Sequence, residues 1–170
     1  KIESDELKIT KKACHISKIM LELETLFNQI KIQKKKDDLV FVSEIPANSE
    51  SLVLKTDCSR LRQVLSNLLS NALKFTETGT VTFGFKINED KVHFYVQDTG
   101  IGIPEEKQSE IFERFKQVNY NEVAKYGGTG LGLAICKGIV SYLGGEISVE
   151  SKLNQGSVFR FHLPLVRINE

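Results

Sequence analysis

The chain has 170 residues, 41% of them hydrophobic, enough for one domain that buries about two thirds of its unfolded surface without a covalent staple. A net charge of +1, with both signs mixed along the chain, gives no electrostatic footprint for nucleic acid or a membrane surface, and no apolar run approaches the roughly 20 residues that span a bilayer. The three cysteines, Cys14, Cys58 and Cys136, are odd in number and widely spaced, so they suggest neither a disulfide framework nor a metal site, and a reducing cytosol is the natural compartment.

In chain order, Leu7 to Cys14 alternates apolar and polar residues as a short strand does. Ile16, Ile19, Met20, Leu23, Leu26, Phe27 and Ile30 then recur at three and four, which predicts an amphipathic helix over 16–32. The basic run Lys34 to Lys36 meets Asp37 and Asp38 at once and reads as a solvated helix end. Leu39 to Ile45 is a strand stopped by Pro46, and Leu52 to Lys55 is another beyond a polar turn. Asp57 is placed to cap a long helix running to Lys74. Thr80 to Ile87 and Lys91 to Gln97 form a hairpin across Asn88, Glu89 and Asp90. A short helix is expected over 105–115, a polar aperiodic segment over 116–126, and a helix over 131–143 that Gly144 and Gly145 close. Glu146 to Glu150 and Ser157 to Leu163 make a second hairpin. Strands in hairpin pairs favour an α+β fold, a two-layer sandwich in which helices cover one mixed, mainly antiparallel sheet.

Three constellations carry chemistry. On the helix after Asp57, Leu61, Val64, Leu65, Leu68, Leu69 and Ala72 form the buried face, and Gln63, Asn67, Asn71 and Lys74 share another. Amide oxygens are neutral ligands for a hard cation and a lysine one turn on can meet a phosphate, so the stripe suits magnesium bridged to a nucleotide; a plain solvent-facing stripe has the same spacing. Next, Asp98, Thr99, Gly100, Ile101, Gly102, Ile103 and Pro104 follow an alternating strand. The loop lacks the third glycine and the βαβ setting of a dinucleotide site. It leaves a carboxylate that can accept from adenine's amino group beside glycines that let a flat ring approach the backbone; an Asp-initiated turn is the plainer reading. Finally, Gly127, Gly128, Thr129, Gly130, Leu131, Gly132 and Leu133 precede an apolar helix, where free N–H groups and the helix dipole favour an anion. No Gly-Lys-Ser/Thr makes this a Walker A loop, and a glycine-rich helix start explains it structurally. Phe112 and Phe115, three apart, are core aromatics by themselves, and the segment beyond them is placed to cover phosphates.

Taken in order, Asn67 to Asn71, Asp98 to Pro104, Phe112 to Phe115 and Gly127 to Leu133 resemble the N, first glycine, F and second glycine boxes of sensor histidine kinases, and the resemblance covers nearly the whole chain. It implies the Bergerat ATP-binding fold, with Lys1 to Glu6 as the end of a dimerisation helix and 7–170 as the catalytic domain. It implies ATP and magnesium as cofactors: Asn71 ligating the metal, Asn67 holding its water shell, Lys74 contacting phosphate, Asp98 binding adenine and Phe75 flanking the base. Gly100, Gly102, Ile103, Phe112, Phe115, Gly128, Thr129, Gly130, Leu131, Gly132 and Leu133 complete the nucleotide site by the same resemblance. Two positions depart from the family: Gln117 stands where many members have arginine, and Val123 and Ala124 stand where relatives with a Lys-Tyr-Gly-Gly lid ending carry Thr-Arg. That ending resembles hybrid kinases with a receiver domain in the same chain.

The three histidines, His15, His93 and His162, lie in no acceptor motif, so the resemblance implies a phosphoacceptor histidine on a separate dimerisation domain, relay to a response regulator receiver domain, no nucleic-acid partner, and a homodimeric parent. A cytoplasmic domain is expected, with a parent that is free to be anchored in the inner membrane. Two other functions share the fold. ATPases of the gyrase, heat-shock and mismatch-repair kinds usually place a water-activating glutamate one turn before the metal-binding asparagine, where this chain has Asn67, and a catalytically inactive nucleotide-binding module is at odds with intact Asn71, Asp98 and glycine elements.

Overall fold

The computed structural model describes residues 10–113 and 132–166. The elements are β1 (Lys12–His15), α1 (Ile16–Gln33), β2 (Leu39–Glu44), β3 (Val53–Thr56), α2 (Cys58–Phe75), β4 (Gly79–Asn88), β5 (Lys91–Asp98), α3 (Gly132–Tyr142), β6 (Glu146–Lys152) and β7 (Gly156–Pro164). Five strands form one sheet in the order β2-β4-β5-β7-β6, with β2 parallel to β4 and the other pairs antiparallel. Alternation puts Phe83, Phe85, Phe94, Phe159 and Phe161 on one face, where Phe94 stacks on Phe161 at 4.8 Å, and the three helices cover that face. The expected α+β sandwich is therefore present. A separate two-stranded sheet, β1 against β3, was not legible, because pairing between distant short strands leaves no local signal. The N–H of Lys55 in β3 also donates to the carbonyl of Val166, which brings the C-terminal segment to the same small sheet.

Several boundaries and packing expectations are corrected. The first strand is Lys12–His15 rather than Leu7 to Cys14, and 7–9, like the linker assigned to 1–6, lie outside the described residues. Within α1, Leu26 is 44% exposed although its spacing placed it on the apolar face, which Ile16, Ile19, Met20, Leu23 and Phe27 fill. The expected helix over 105–115 is a 3-10 turn at Glu105–Lys107 followed by further turns up to 113; the remainder lies outside the described residues. Its backbone bonds close over three residues, as in Lys107 N–H to Pro104 and Glu113 N–H to Glu110. The amide of Gln108 is drawn instead to the carbonyls of Ile103 and Ser151, tying the segment to β6. The last helix starts at Gly132; Leu131 is outside the described residues.

The helix that carries the polar stripe is fixed at both ends. Asp57 caps α2 as expected, accepting from the N–H of Arg60 at 3.2 Å, while its other oxygen accepts from the N–H of Thr10. At the far end the basic run behaves differently from a solvated helix end. Lys35 turns left-handed (φ 58) and Lys36 swings inward, its side chain only 14% exposed. The Lys36 ammonium donates to the carbonyls of Leu73, Lys74 and Thr76 and pairs with Glu77 at 3.5 Å, so a cation sits on the negative end of the α2 dipole. Lys36→Met should lower the free energy of unfolding by about 1 to 3 kcal/mol, since it removes charged hydrogen bonds from buried carbonyls. A urea midpoint equal to that of the parent chain would show those carbonyls to be satisfied without it.

Candidate functional site

The polar stripe on α2 is not its solvent face. Ser59, Arg62 and Ser70 are exposed, whereas Gln63, Asn67, Asn71 and Lys74 are half-buried, a placement that a merely solvated stripe does not explain. Gln63 is occupied by the Arg60 guanidinium at 3.0 Å, and Cys136 Sγ of α3 lies 3.8 Å from the Val64 carbonyl. Asn71, Lys74 and Phe75 occupy the last turns, and Phe75 is itself half-buried.

The loop after β5 is bolted to that helix end. The Ile101 N–H donates to the Phe75 carbonyl at 3.2 Å, and a Cβ on Gly100 would strike the same carbonyl and the Thr76 hydroxyl. Gly102 has φ +70, and a Cβ there would strike the Lys152 carbonyl. The chain's own close approaches are thus sufficient to require glycine at both positions. On the other side the β6–β7 turn grips the loop: Asn154 N–H donates to the Ile101 carbonyl and Ile103 N–H to Ser151 Oγ, each at 2.7 Å. Ser151 and Gln108 are site-supporting residues that sequence reasoning missed. Both act through backbone groups of a loop they meet only in the fold, and no spacing signals that.

Asp98 ends β5 with its side chain 7% exposed. Burial raises its pKa above the ordinary carboxylate value, against the opposing pull of the Gly100 and Ser157 N–H groups, the first of which reaches Oδ1 at 2.9 Å. Among the described residues no cation pairs with it, and a buried carboxylate held by backbone N–H groups suits a ligand's donor better than a turn, which one backbone bond satisfies at the surface. Phe112 lies edge-on to Phe159 at 6.2 Å, on the core side. Ile103 is half-buried, and Gly132 and Leu133 open α3, which packs on α2. Phe115, Gly128, Thr129, Gly130 and Leu131, with the segment 116–126 and the departures at Gln117, Val123 and Ala124, lie outside the described residues. A groove of about 790 Å³ on the far side of the loop, lined by Pro104, Glu105, Glu106, Glu150, Lys152 and Gln155 among others, includes neither Asn71 nor Asp98.

The last turns of α2 thus meet the Asp98 loop, and α3 packs on α2. Among the described residues no three His, Cys, Asp or Glu side chains cluster as a metal cage, and no helix is long and apolar enough to cross a membrane. A single amide oxygen with a neighbouring amide fits a cation that takes most of its ligands from phosphates and water, as magnesium does.

The profile of histidine kinase-, DNA gyrase B- and HSP90-like ATPases matches residues 56–167, and the chain belongs to that family. The circadian input-output histidine kinase CikA of Synechococcus elongatus is 42% identical over 145 residues, which are 85% of this chain and 19% of that far longer protein. Among solved structures, the catalytic domain of the histidine kinase ThkA is 33% identical with a TM-score of 0.74, over 92% of this chain and 99% of that one. Full-length ShkA in complex with AMPPNP is 28% identical with a TM-score of 0.81, over 96% of this chain and 33% of that one. The fold expected from the resemblance is the fold of these kinase catalytic domains.

The raised pKa of Asp98 has a definite sign for stability. A carboxyl that holds its proton more tightly when folded destabilises the fold as pH rises from the ordinary carboxylate value through the raised one. Asp98→Asn keeps an oxygen for the Gly100 N–H and removes the buried charge, so its thermal midpoint at pH 7.5 should equal or exceed that of the parent chain, with any gain shrinking toward pH 4. The same variant should lose ATP affinity by about tenfold to a hundredfold, the worth of one charged hydrogen bond. Calorimetry showing unchanged affinity in the folded variant would remove Asp98 from the site.

Proposed function

We propose that this domain binds Mg-ATP and delivers the γ-phosphoryl group to a histidine on a dimerisation domain of the same parent, for relay to an aspartate of a response regulator receiver domain. The observation that carries this reading is the buried Asp98 carboxylate, held by the Gly100 N–H in a loop bonded to the helix that presents Asn71 and Lys74. Asp98 accepts from the adenine amino group and rejects guanine, which presents an oxygen there. Gly100, Gly102 and Ile103 hold the loop in place, and Phe75 flanks the base, with Phe112 and Phe115 contributing to the nucleotide site. Lys74 meets phosphate, and the backbone of Gly128 to Leu133 receives the phosphates at the start of α3. Asn71 would hold magnesium directly and Asn67 its water shell. When bound, that ion would neutralise charge on the phosphates.

Transfer to an acceptor is favoured over hydrolysis because the stripe carries no carboxylate or imidazole: beside Lys74, which meets phosphate, it holds amides only. Gln63, Asn67 and Asn71 cannot take a proton from water, so no residue of α2 serves as the base that an ATPase of this fold needs. Within this reading the domain supplies position and charge neutralisation, and its partner supplies the nucleophile. The match of ShkA, whose structure holds AMPPNP, supports nucleotide binding here. The parent is read as a homodimer with this domain on the cytoplasmic side, anchored or free.

Asn71→Ala leaves the buried face of α2 untouched and should abolish the magnesium dependence of ATP affinity while the fold survives. Calorimetry with magnesium and with a chelator checks this, and a full magnesium effect in the variant overturns the assignment of the stripe. Transfer itself is tested in trans. His15 ends β1, and His93 and His162 face each other across β5 and β7 with ring centroids 5.7 Å apart, so the described structure presents no histidine on a helix. Given labelled ATP and magnesium, the chain alone should acquire no phosphohistidine. It should label a separately made dimerisation domain of its parent, slowly, because the covalent link that raises effective concentration is missing. Label mapped to any of the three histidines would overturn this division of labour.

A further inference from the structure

His93 of β5 and His162 of β7 are direct partners in the antiparallel ladder, and their rings stand on the face of the sheet opposite the helices. Alternation fixes that placement, since Val92, Phe94, Phe161 and Leu163 on either side of them are buried in the core. The ring centroids are 5.7 Å apart, and the planes are tilted by 51° rather than stacked. An ion held at about 2 Å by one nitrogen of each ring lies about 3 Å from each centroid, so two rings sharing it at a tetrahedral angle stand about 5 Å apart. A small rotation of either side chain closes the difference, and both residues are half-buried, open enough for an ion to reach them. The backbone holds the pair together, because β5 and β7 are interior strands with a ladder on each side.

Charge and donor type decide which ion. Lys86 of β4 is the register partner of His93 on its other side, Lys91 lies two residues before His93 on the same face, and Glu146 of β6 is the register partner of His162. With two ammonium groups against one carboxylate, a hard ion that depends on anionic oxygen is not attracted, whereas imidazole nitrogen suits zinc, copper or nickel. Among the described residues no third His, Cys, Asp or Glu joins the two rings. We propose that His93 and His162 form a two-imidazole site for a divalent transition-metal ion, with water in its remaining positions. The ion staples β5 to β7 five residue pairs away from Asp98 and Ser157, so it steadies the sheet without touching the loop that carries the proposed nucleotide site. The proposal is independent of the reading of that site.

Zinc chloride is titrated calorimetrically into the nucleotide-free chain and into His93→Gln, His162→Gln and the double variant, at pH 7.5, where ordinary imidazoles are neutral. Both side chains leave the core untouched, so the variants should fold, and their thermal midpoints without metal check this. Each single variant should lose at least about tenfold in zinc affinity, because a lone imidazole forfeits the effective concentration of the chelate. The double variant should add little, since either change already breaks the pair. The rise in thermal midpoint that zinc gives the parent chain should vanish in the same variants and persist in His15→Gln. Zinc taken up by Cys58 or by the polar stripe is common to all of these chains and cancels in the comparison. Equal zinc affinity in the parent and the double variant overturns the site, as does a loss confined to one of the two histidines.

Discussion

A helix leaves its last carbonyls without partners, and the way α2 satisfies its own sets the rest of the site. Leu73, Lys74 and Thr76 accept from Lys36, which arrives from the turn after α1, and Phe75 accepts from Ile101, which arrives from the loop after β5. Two segments far apart in sequence are therefore located by one helix end. Because the residues proposed to hold cation and phosphate lie on that last turn and a half, the geometry that completes the helix also aims the site. The glycine at position 100 belongs to the same constraint, since any side chain there would push the loop off the carbonyl it must reach.

Against this rigid frame, Asp98 stands out as a liability. It is buried, and its environment favours the protonated form. Natural cores place charges inside only where something answers them. Here the backbone N–H groups answer in part, and the remainder is the unmet acceptor capacity that an exocyclic amine would fill. Under the proposed reading, a little stability is given up for a carboxylate dehydrated before its ligand arrives, the condition under which one hydrogen bond discriminates best between two bases.

Much of this was legible in sequence where the signal is local. The Asp57 cap, the buried face of α2 and both hairpins follow from spacing and composition within about one or two turns, and they lie where expected. The stripe of Asn67, Asn71 and Lys74 was legible as a face, but only burial separates it from a solvated one. What failed was non-local. The helix expected over 105–115 lost to turns because Gln108 finds better partners in Ile103 and Ser151 than in its own segment, and Lys36 left a run of lysines that looks like solvent-facing charge for carbonyls on another helix. The glycines after Asp98 were singled out for the approach of a flat ring, and the fold adds the chain's own close approaches, which sequence could not name.

The small sheet of β1 and β3 carries a consequence for how the domain joins its surroundings. β1 enters from the N-terminal side and pairs with β3, and the Val166 carbonyl on the C-terminal side accepts from Lys55 of the same strand. The described polypeptide therefore comes in and goes out beside one short strand, away from the edge formed by β6. A module with adjacent ends can be spliced between flanking domains much as a loop is, without stretching its core. Beside the covalent joins of β1 to α1 and of β7 to Val166, the hydrogen bonds of β3 tie both ends of the described polypeptide to the strand that leads within two residues to the start of α2.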